Sequence, residues 1–340
     1  MTASTMTAQQ IRDTRLRPVP WRRMAWVTWR QHRAALAGVV VVVGGPAVYL
    51  WRTGLGIHQD WAADVACRPA NSAACGQIGL FLTRYVSTEV TAGILLTLAP
   101  ALLGAFVGAP VLARELETGT FRYAWTQGFG RWRWTLGKLV PLAIAVAAAA
   151  GALSVLSWWY FQPFFAVHFG TPLAPALFGL RGVAYAAWTL AAFSIAALAG
   201  MLIRRVVPAM AATLAAYLGL AVLPGLWLRQ HYLAPLLTTR NVLPGYAWIM
   251  NQWFTKGGKF AFVVPQKSGL IAGLIQQHCP SAPASLTLGQ CLAKHGYTQW
   301  TSYQPVSRFW PFQWIEGGWL LALSVLLIAA TVWLVRRRAT

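Results

Sequence analysis

An all-α polytopic membrane protein is the fold this sequence predicts: six transmembrane helices, a short cytoplasmic helix after the second, and an extracellular cap between the fifth and sixth. Three observations carry that prediction. Of 340 residues, 57% are hydrophobic and only 10% are charged, against about 45–50% and 25% in soluble domains. Six uncharged stretches each supply the ~20 apolar residues that a helix needs to cross a ~30 Å hydrocarbon core. The 28 cations, set against 7 acids, gather at the ends of those stretches. In a soluble chain a net charge of +21 would point to nucleic acid. In a chain this apolar the cations mark span ends, and no nucleic-acid partner is expected.

Residues 1–33 form a basic cytoplasmic N-terminus in which Trp21, Arg22, Arg23, Trp26, Trp29, Arg30 and Arg33 mix aromatic and cationic side chains, as a helix lying in the membrane interface does. This segment is expected to form an elbow. The first span runs from Ala34 to Trp51, and Arg52 follows it with no small-residue cleavage pattern, so it is a retained anchor rather than a signal peptide. The second span is Val90 to Ala113, the third Leu139 to about Phe161, the fourth Gly182 to Ile203, the fifth Val206 to Leu228 and the sixth Gly317 to Val335, all free of charge. The uncharged run after Phe161 continues to Leu180, but Pro163, Gly170, Pro172 and Pro175 break it into a loop. The organisation is therefore 1–33 N-terminus and elbow, 34–228 spans one to five with a loop at 114–138, 229–316 cap, and 317–340 sixth span with a basic C-terminus.

Short loops rich in Lys and Arg stay in the cytoplasm. With both termini inside, 17 cations and three acids are cytoplasmic, while 11 cations and four acids lie outside. Seven of those 11 fall in the segment from Arg229 to Glu316, too long for the rule to weigh. All four cysteines then lie outside, where disulfides persist. Local bridges Cys67 to Cys75 and Cys279 to Cys291 are expected, with cross-loop pairing the alternative. His278, Cys279, Cys291 and His295 also have the spacing of a zinc site. Such a site suits a reducing compartment, so no metal is expected.

The sequence carries no energy source of its own. The nearest approach to a phosphate loop, Gly130 to Lys138, has six residues between Gly130 and Gly137 and Leu139 in place of Ser or Thr, so it does not fit. Ion-coupled carriers bury ionisable side chains in their spans, and none falls inside the six runs. Asp60, Asp64, Glu89 and Glu316 are scattered outer carboxylates, and His58, His168, His231, His278 and His295 are outer histidines; no pair in sequence marks a general acid and base. No catalytic residue is expected in this chain.

Two of the three cytoplasmic acids, Glu115 and Glu117, fall in one short loop. A helix starting near Arg114 places both in its first turn, where the positive end of the helix dipole favours carboxylates, and Gly119 ends or kinks it. Thr118 and Thr120 flank the glycine, and aromatic and basic residues from Phe121 to Trp134 lead back to the membrane. The alternative is an interfacial loop that only anchors the third span.

The segment Arg114-Glu115-x-Glu117-x-Gly119-Thr120, followed by Ala124-Trp125-Thr126-Gln127 and a basic aromatic stretch to Lys138-Leu139, resembles the first cytoplasmic loop of ABC exporter permeases of the type V class, actinobacterial members most of all. The resemblance extends to Trp26 through Arg33, to Arg204-Arg205-x-x-Pro208 and to Ser307 through Glu316, and so covers nearly the whole chain. It implies that the loop is a coupling helix docking into a cytoplasmic ATPase, with Arg114, Glu115, Glu117, Gly119 and Thr120 as the ATPase-coupling residues. ATP and Mg would be bound by that partner, and none by this chain. It implies also a second permease copy or a related permease as partner, in the membrane lipid of a bacterial plasma membrane. The expected function is the membrane subunit of an ATP-driven exporter of an apolar or amphipathic substrate. A membrane-bound sensor or assembly protein with a ligand-binding cap is the alternative, and it predicts binding without ATP-dependent movement. A membrane enzyme would instead require one of Asp60, Asp64, Glu316 or the outer histidines to be essential.

Overall fold

A computed structural model describes residues 21–66, 78–119, 131–166, 171–240, 247–264 and 288–337. Among them six helices are long and apolar enough to cross a membrane, and each covers all or most of one of the uncharged runs. Helix α1 (Trp21–Ala66) is a single helix of 46 residues, about 69 Å at 1.5 Å per residue. No Gly or Pro interrupts 21–33, and the expected elbow is continuous with the first span rather than a separate helix. Helix α2 (Ile78–Leu103) passes through a π-helical turn, Gly104–Gly108, into α3 (Ala109–Thr118). Helix α4 (Arg131–Ala166) keeps Pro163 inside its last turn, so the expected loop begins later than the proline suggested, and it contains the one-turn helix α5 (Pro175–Phe178).

Helices α6 (Gly182–Ile203) and α7 (Val206–Leu223) occupy the expected fourth and fifth spans. A second π-helical turn, Pro224–Leu228, carries α7 into α8 (Arg229–His231). Beyond it the cap holds a small antiparallel sheet of β1 (Leu236–Thr238), β2 (Trp248–Lys256), β3 (Lys259–Val263) and β4 (Tyr297–Gln304), in the order β1-β4-β2-β3. Helix α9 (Leu288–Lys294) packs Leu292 and Cys291 against Phe254 of β2. Strands β2 and β3 reverse over Gly257 and Gly258, both with positive φ (56° and 78°), the pair of angles a two-residue type I′ hairpin requires. No strands were expected here, although the Gly-Gly pair between Phe-Thr-Lys and Lys-Phe-Ala-Phe is the signal for them. A 3-10 turn, Val306–Arg308, leads into α10 (Phe309–Arg337), which starts before the expected boundary at Gly317 and takes Glu316 into the helix.

Helix α6 is the centre of the bundle: 61% of its most apolar stretch is buried, against 17–50% in the other five. Contact is close because the residues are small. A Cβ on Gly104 would lie 2.8 Å from the Ala192 backbone, one on Gly108 2.7 Å from the Ala196 methyl, and one on Gly200 2.6 Å from the Ala109 carbonyl oxygen. Small residues of this kind let transmembrane backbones approach where lipid supplies no hydrophobic drive. At one end of the bundle Trp134, Leu139, Phe193, Met201 and Val335 form a core; at the other, below the sheet, Phe178, Trp188, Tyr217, Phe309 and Phe312 form a second. The first end carries Arg114, Arg131, Arg133, Arg204 and Arg205 and is called the basic end below; the second is the cap end.

Candidate functional site

At the basic end the acids lie at the opposite pole of their helix from the one expected. Glu115 and Glu117 stand in the last turn of α3, which arrives from the second span and stops at Thr118, not in the first turn of a new helix. Gly119 ends it in the left-handed conformation, φ 72°, the usual glycine stop, and Thr118 Oγ1 donates to the Arg114 carbonyl at 2.9 Å. A helix C-terminus carries partial negative charge, so both carboxylates depend on groups from other helices.

Those groups are present. Lys138 of α4 reaches across to Glu115 in a salt bridge whose side chains are only 7% and 18% exposed. Its Nζ also stands 4.4 Å from the centroid of the Trp134 ring. Glu117 Oε2 accepts the backbone N–H of Val206 at 3.1 Å, and Val206 is the first residue of α7. The favourable dipole that the sequence analysis assigned to the acids' own helix is therefore supplied by the N-terminus of α7. Arg204 makes this possible. It closes α6 with φ 58°, its N–H donating to Gly200 O at 3.1 Å, so α7 starts two residues later beside α3. The acid pair thus ties together α3, α4 and α7. Thr120, and the aromatic basic stretch to 130, lie outside the described residues.

A second polar cluster, which sequence reasoning missed, sits at the cap end. Glu316, expected among scattered outer carboxylates, is fully buried. Arg229 grips it with two nitrogens, Nε to Oε2 at 2.8 Å and Nη2 to Oε1 at 2.7 Å. Trp188 Nε1 donates to Oε1 at 2.8 Å and Tyr232 OH to Oε2 at 3.2 Å. Arg229 Nη1 donates to the Pro175 carbonyl at 2.7 Å, and Trp319 Nε1 donates to the Tyr232 hydroxyl at 3.1 Å. Burial, and then the charge of Glu316, push the Tyr232 hydroxyl pKa above the usual tyrosine range. Every charge in the cluster is paired, the condition under which buried ions persist. Beside it a cleft of about 350 Å³ opens between α2, α6 and α7, lined by Thr97, Pro100, Tyr185, Tyr217, Gly225 and Arg229.

Among the described residues the remaining candidates do not assemble; His168 and His278 lie outside them. Asp60 accepts from Arg84 Nη1 at 2.9 Å and from the Tyr85 hydroxyl at 2.6 Å. His58 Nε2 donates to Trp159 O at 2.9 Å, His231 Nδ1 to Trp227 O at 2.7 Å and His295 Nδ1 to Cys291 O at 3.1 Å. No group of three metal-ligating side chains forms among the described residues. Cys67, Cys75 and Cys279, and with them both expected pairs, lie outside those residues; Cys291 is buried and is not a free thiol.

No curated protein and no solved structure matches the chain. The family model described as ABC-2 membrane transporter related matches residues 36–229, more than half of the 340 residues. That match spans the first five membrane helices and both halves of the basic-end cluster, Glu115 with Lys138 and Glu117 with Val206. The chain belongs to the ABC-2 membrane transporter-related family and is the membrane subunit of an ABC transporter.

Proposed function

We propose that this permease subunit exports an apolar or amphipathic substrate, driven by ATP hydrolysis on a separate ATPase chain that docks at the C-terminal end of α3. Arg114, Glu115, Glu117, Gly119 and Thr120 form the handle. The observation that carries this reading is the acid pair. In a chain with only seven acids, two occupy the end of one helix and join it to two others, so a pull on α3 acts on α4 and α7 together. ATP and Mg belong to the partner, and translocation runs between this subunit and a second copy or a related permease. Both termini face the cytoplasm of a bacterium, the cap covers the outer end of the path, and Cys67 with Cys75 and Cys279 with Cys291 brace the outer loops. Copurification with a co-expressed ATPase and transport in proteoliposomes test the proposal. Glu115→Ala with Glu117→Ala is expected to weaken ATPase retention and abolish transport; retention and transport at wild-type levels in that double variant would sink it.

A further inference from the structure

Arg181, the residue before α6, is only 2% exposed. Its guanidinium is enclosed by rings from α4 and α10: Cζ lies 4.3 Å from the centroid of Phe165, 5.4 Å from Trp158, 5.8 Å from Phe309 and 5.9 Å from Phe161. Two of its nitrogens, Nε and Nη2, are buried with no hydrogen-bond partner among the described residues. Arg229 shows what a buried arginine at this end ordinarily has, because the same two nitrogens hold the two oxygens of Glu316. Arg181 presents the same fork without such a carboxylate among the described residues.

The energetics favour an occupant. Leaving a buried cation unpaired is costly, and the surrounding aromatic faces return only part of that cost. Burial lowers the pKa of Arg181 to about 9, so it is still a cation at neutral pH. The described residues offer it no anion. Glu316 belongs to Arg229, Asp60 to Arg84 and Glu115 to Lys138, Glu117 is at the far end of the bundle, and Glu89 does not act on Arg181, whose pKa is shifted by burial and by no neighbouring charge. The environment outside does. Trp158 and Trp310, 45% and 50% exposed, stack at 6.2 Å over the cage, and exposed Trp314 follows on the same helix. Tryptophans at span ends sit at the level of lipid headgroups, which places Arg181 one ring beneath a surface crowded with phosphate. A Nε and Nη2 edge binds two oxygens of a phosphate side by side.

We propose that Arg181 is a phosphate-binding residue, its Nε and Nη2 fork reached past the exposed Trp158 ring and filled by a phosphate group at the cap-end membrane surface. The group comes from a phospholipid headgroup or from free phosphate. The test is thermal unfolding of the full-length protein in detergent with dioctanoyl phosphatidylglycerol, with dioctanoylglycerol, or with inorganic phosphate. The wild type is expected to gain a few degrees from one phosphate source, as a ligand bound only to the folded state confers. A gain from phosphatidylglycerol but not from dioctanoylglycerol or inorganic phosphate assigns the lipid; a gain from inorganic phosphate assigns the free ion. Arg181→Met should lose the gain yet be no less stable than wild type without phosphate, because it removes an uncompensated buried charge. Arg181→Lys keeps the charge without the fork and should gain less. No gain from either source, or an equal gain in Arg181→Met, overturns the proposal. Should Arg181→Met fail to fold, native mass spectrometry of wild type and Arg181→Lys decides: equal retention of phospholipid and phosphate overturns it, and reduced retention in Arg181→Lys supports it.

Discussion

Glu316 accepts four hydrogen bonds from three residues, Arg229, Trp188 and Tyr232, and shows no surface to solvent. Removing one member of such a pair leaves a buried charge alone, a loss of about 3–5 kcal/mol, whereas replacing both with apolar residues of similar volume is often neutral. Glu316→Ala and Arg229→Met should each melt well below wild type, and Arg229→Met with Glu316→Leu should recover most of the difference; a thermal double-mutant cycle in detergent reads the coupling directly. The Tyr232 hydroxyl gives a pH test. Its folded pKa is raised, so the folded state keeps a proton that the unfolded chain loses, and stability falls as pH climbs past the ordinary tyrosine value of about 10. Tyr232→Phe should make that fall shallower. Glu115 and Glu117 were legible in the sequence because acids are rare and these two are neighbours. Glu316 was not, because its partner lies 87 residues away and its charge ended the uncharged run from which the sixth span was counted.

At the scale of elements, the glycines separate contact from tolerance. A side chain on Gly108 meets the Ala196 methyl at 2.7 Å and the Phe193 carbonyl oxygen at 2.8 Å, and neither can yield without moving the α6 backbone. Gly108→Val should therefore cost about 1–3 kcal/mol, the range of overpacked cores. Gly151 on α4 has nothing within 4 Å of a Cβ, so Gly151→Ala should leave the melting temperature unchanged or raise it, since alanine suits a helix better by about 0.5–1 kcal/mol. At the end of α3, Gly119→Ala must hold φ near 72° at a cost of roughly 1–2 kcal/mol, and it should reduce ATPase coupling by releasing the helix end. The six spans could be read from uncharged length alone. The polarity of the acid-bearing helix could not, because a helix that begins inside the membrane and one that begins after it contain the same residues. The sheet was not legible for a different reason: a cap strand such as Tyr297–Gln304, with aromatics at every third residue among polar ones, has neither the apolar length of a span nor the strict alternation that marks a strand.

Across the whole molecule, charge and cysteine placement make one joint prediction about sidedness. Arg114, Arg131, Arg133, Arg204 and Arg205 cluster at the basic end, whereas among the described cations of the short cap-end connections Arg84 pairs with Asp60, Arg181 is enclosed by rings and Arg52 alone is exposed without a carboxylate beside it in an ion pair. If short cationic loops remain in the cytoplasm, the acid pair faces the compartment that holds ATP, and the cap faces the oxidising side. Thr118 and Thr298 are both exposed, one at each end, and report on the two sides independently. In intact cells a membrane-impermeant maleimide should label Thr298→Cys at once and Thr118→Cys only after permeabilisation. If the proposed bridges form, the unsubstituted protein should stay unlabelled until a reductant is added, and should then take label from outside. Labelling of Thr118→Cys from outside would place Glu115 and Glu117 beyond the reach of any ATPase, and with it the coupling role would fail even though the spans, the glycine contacts and the buried ion pair stood unchanged.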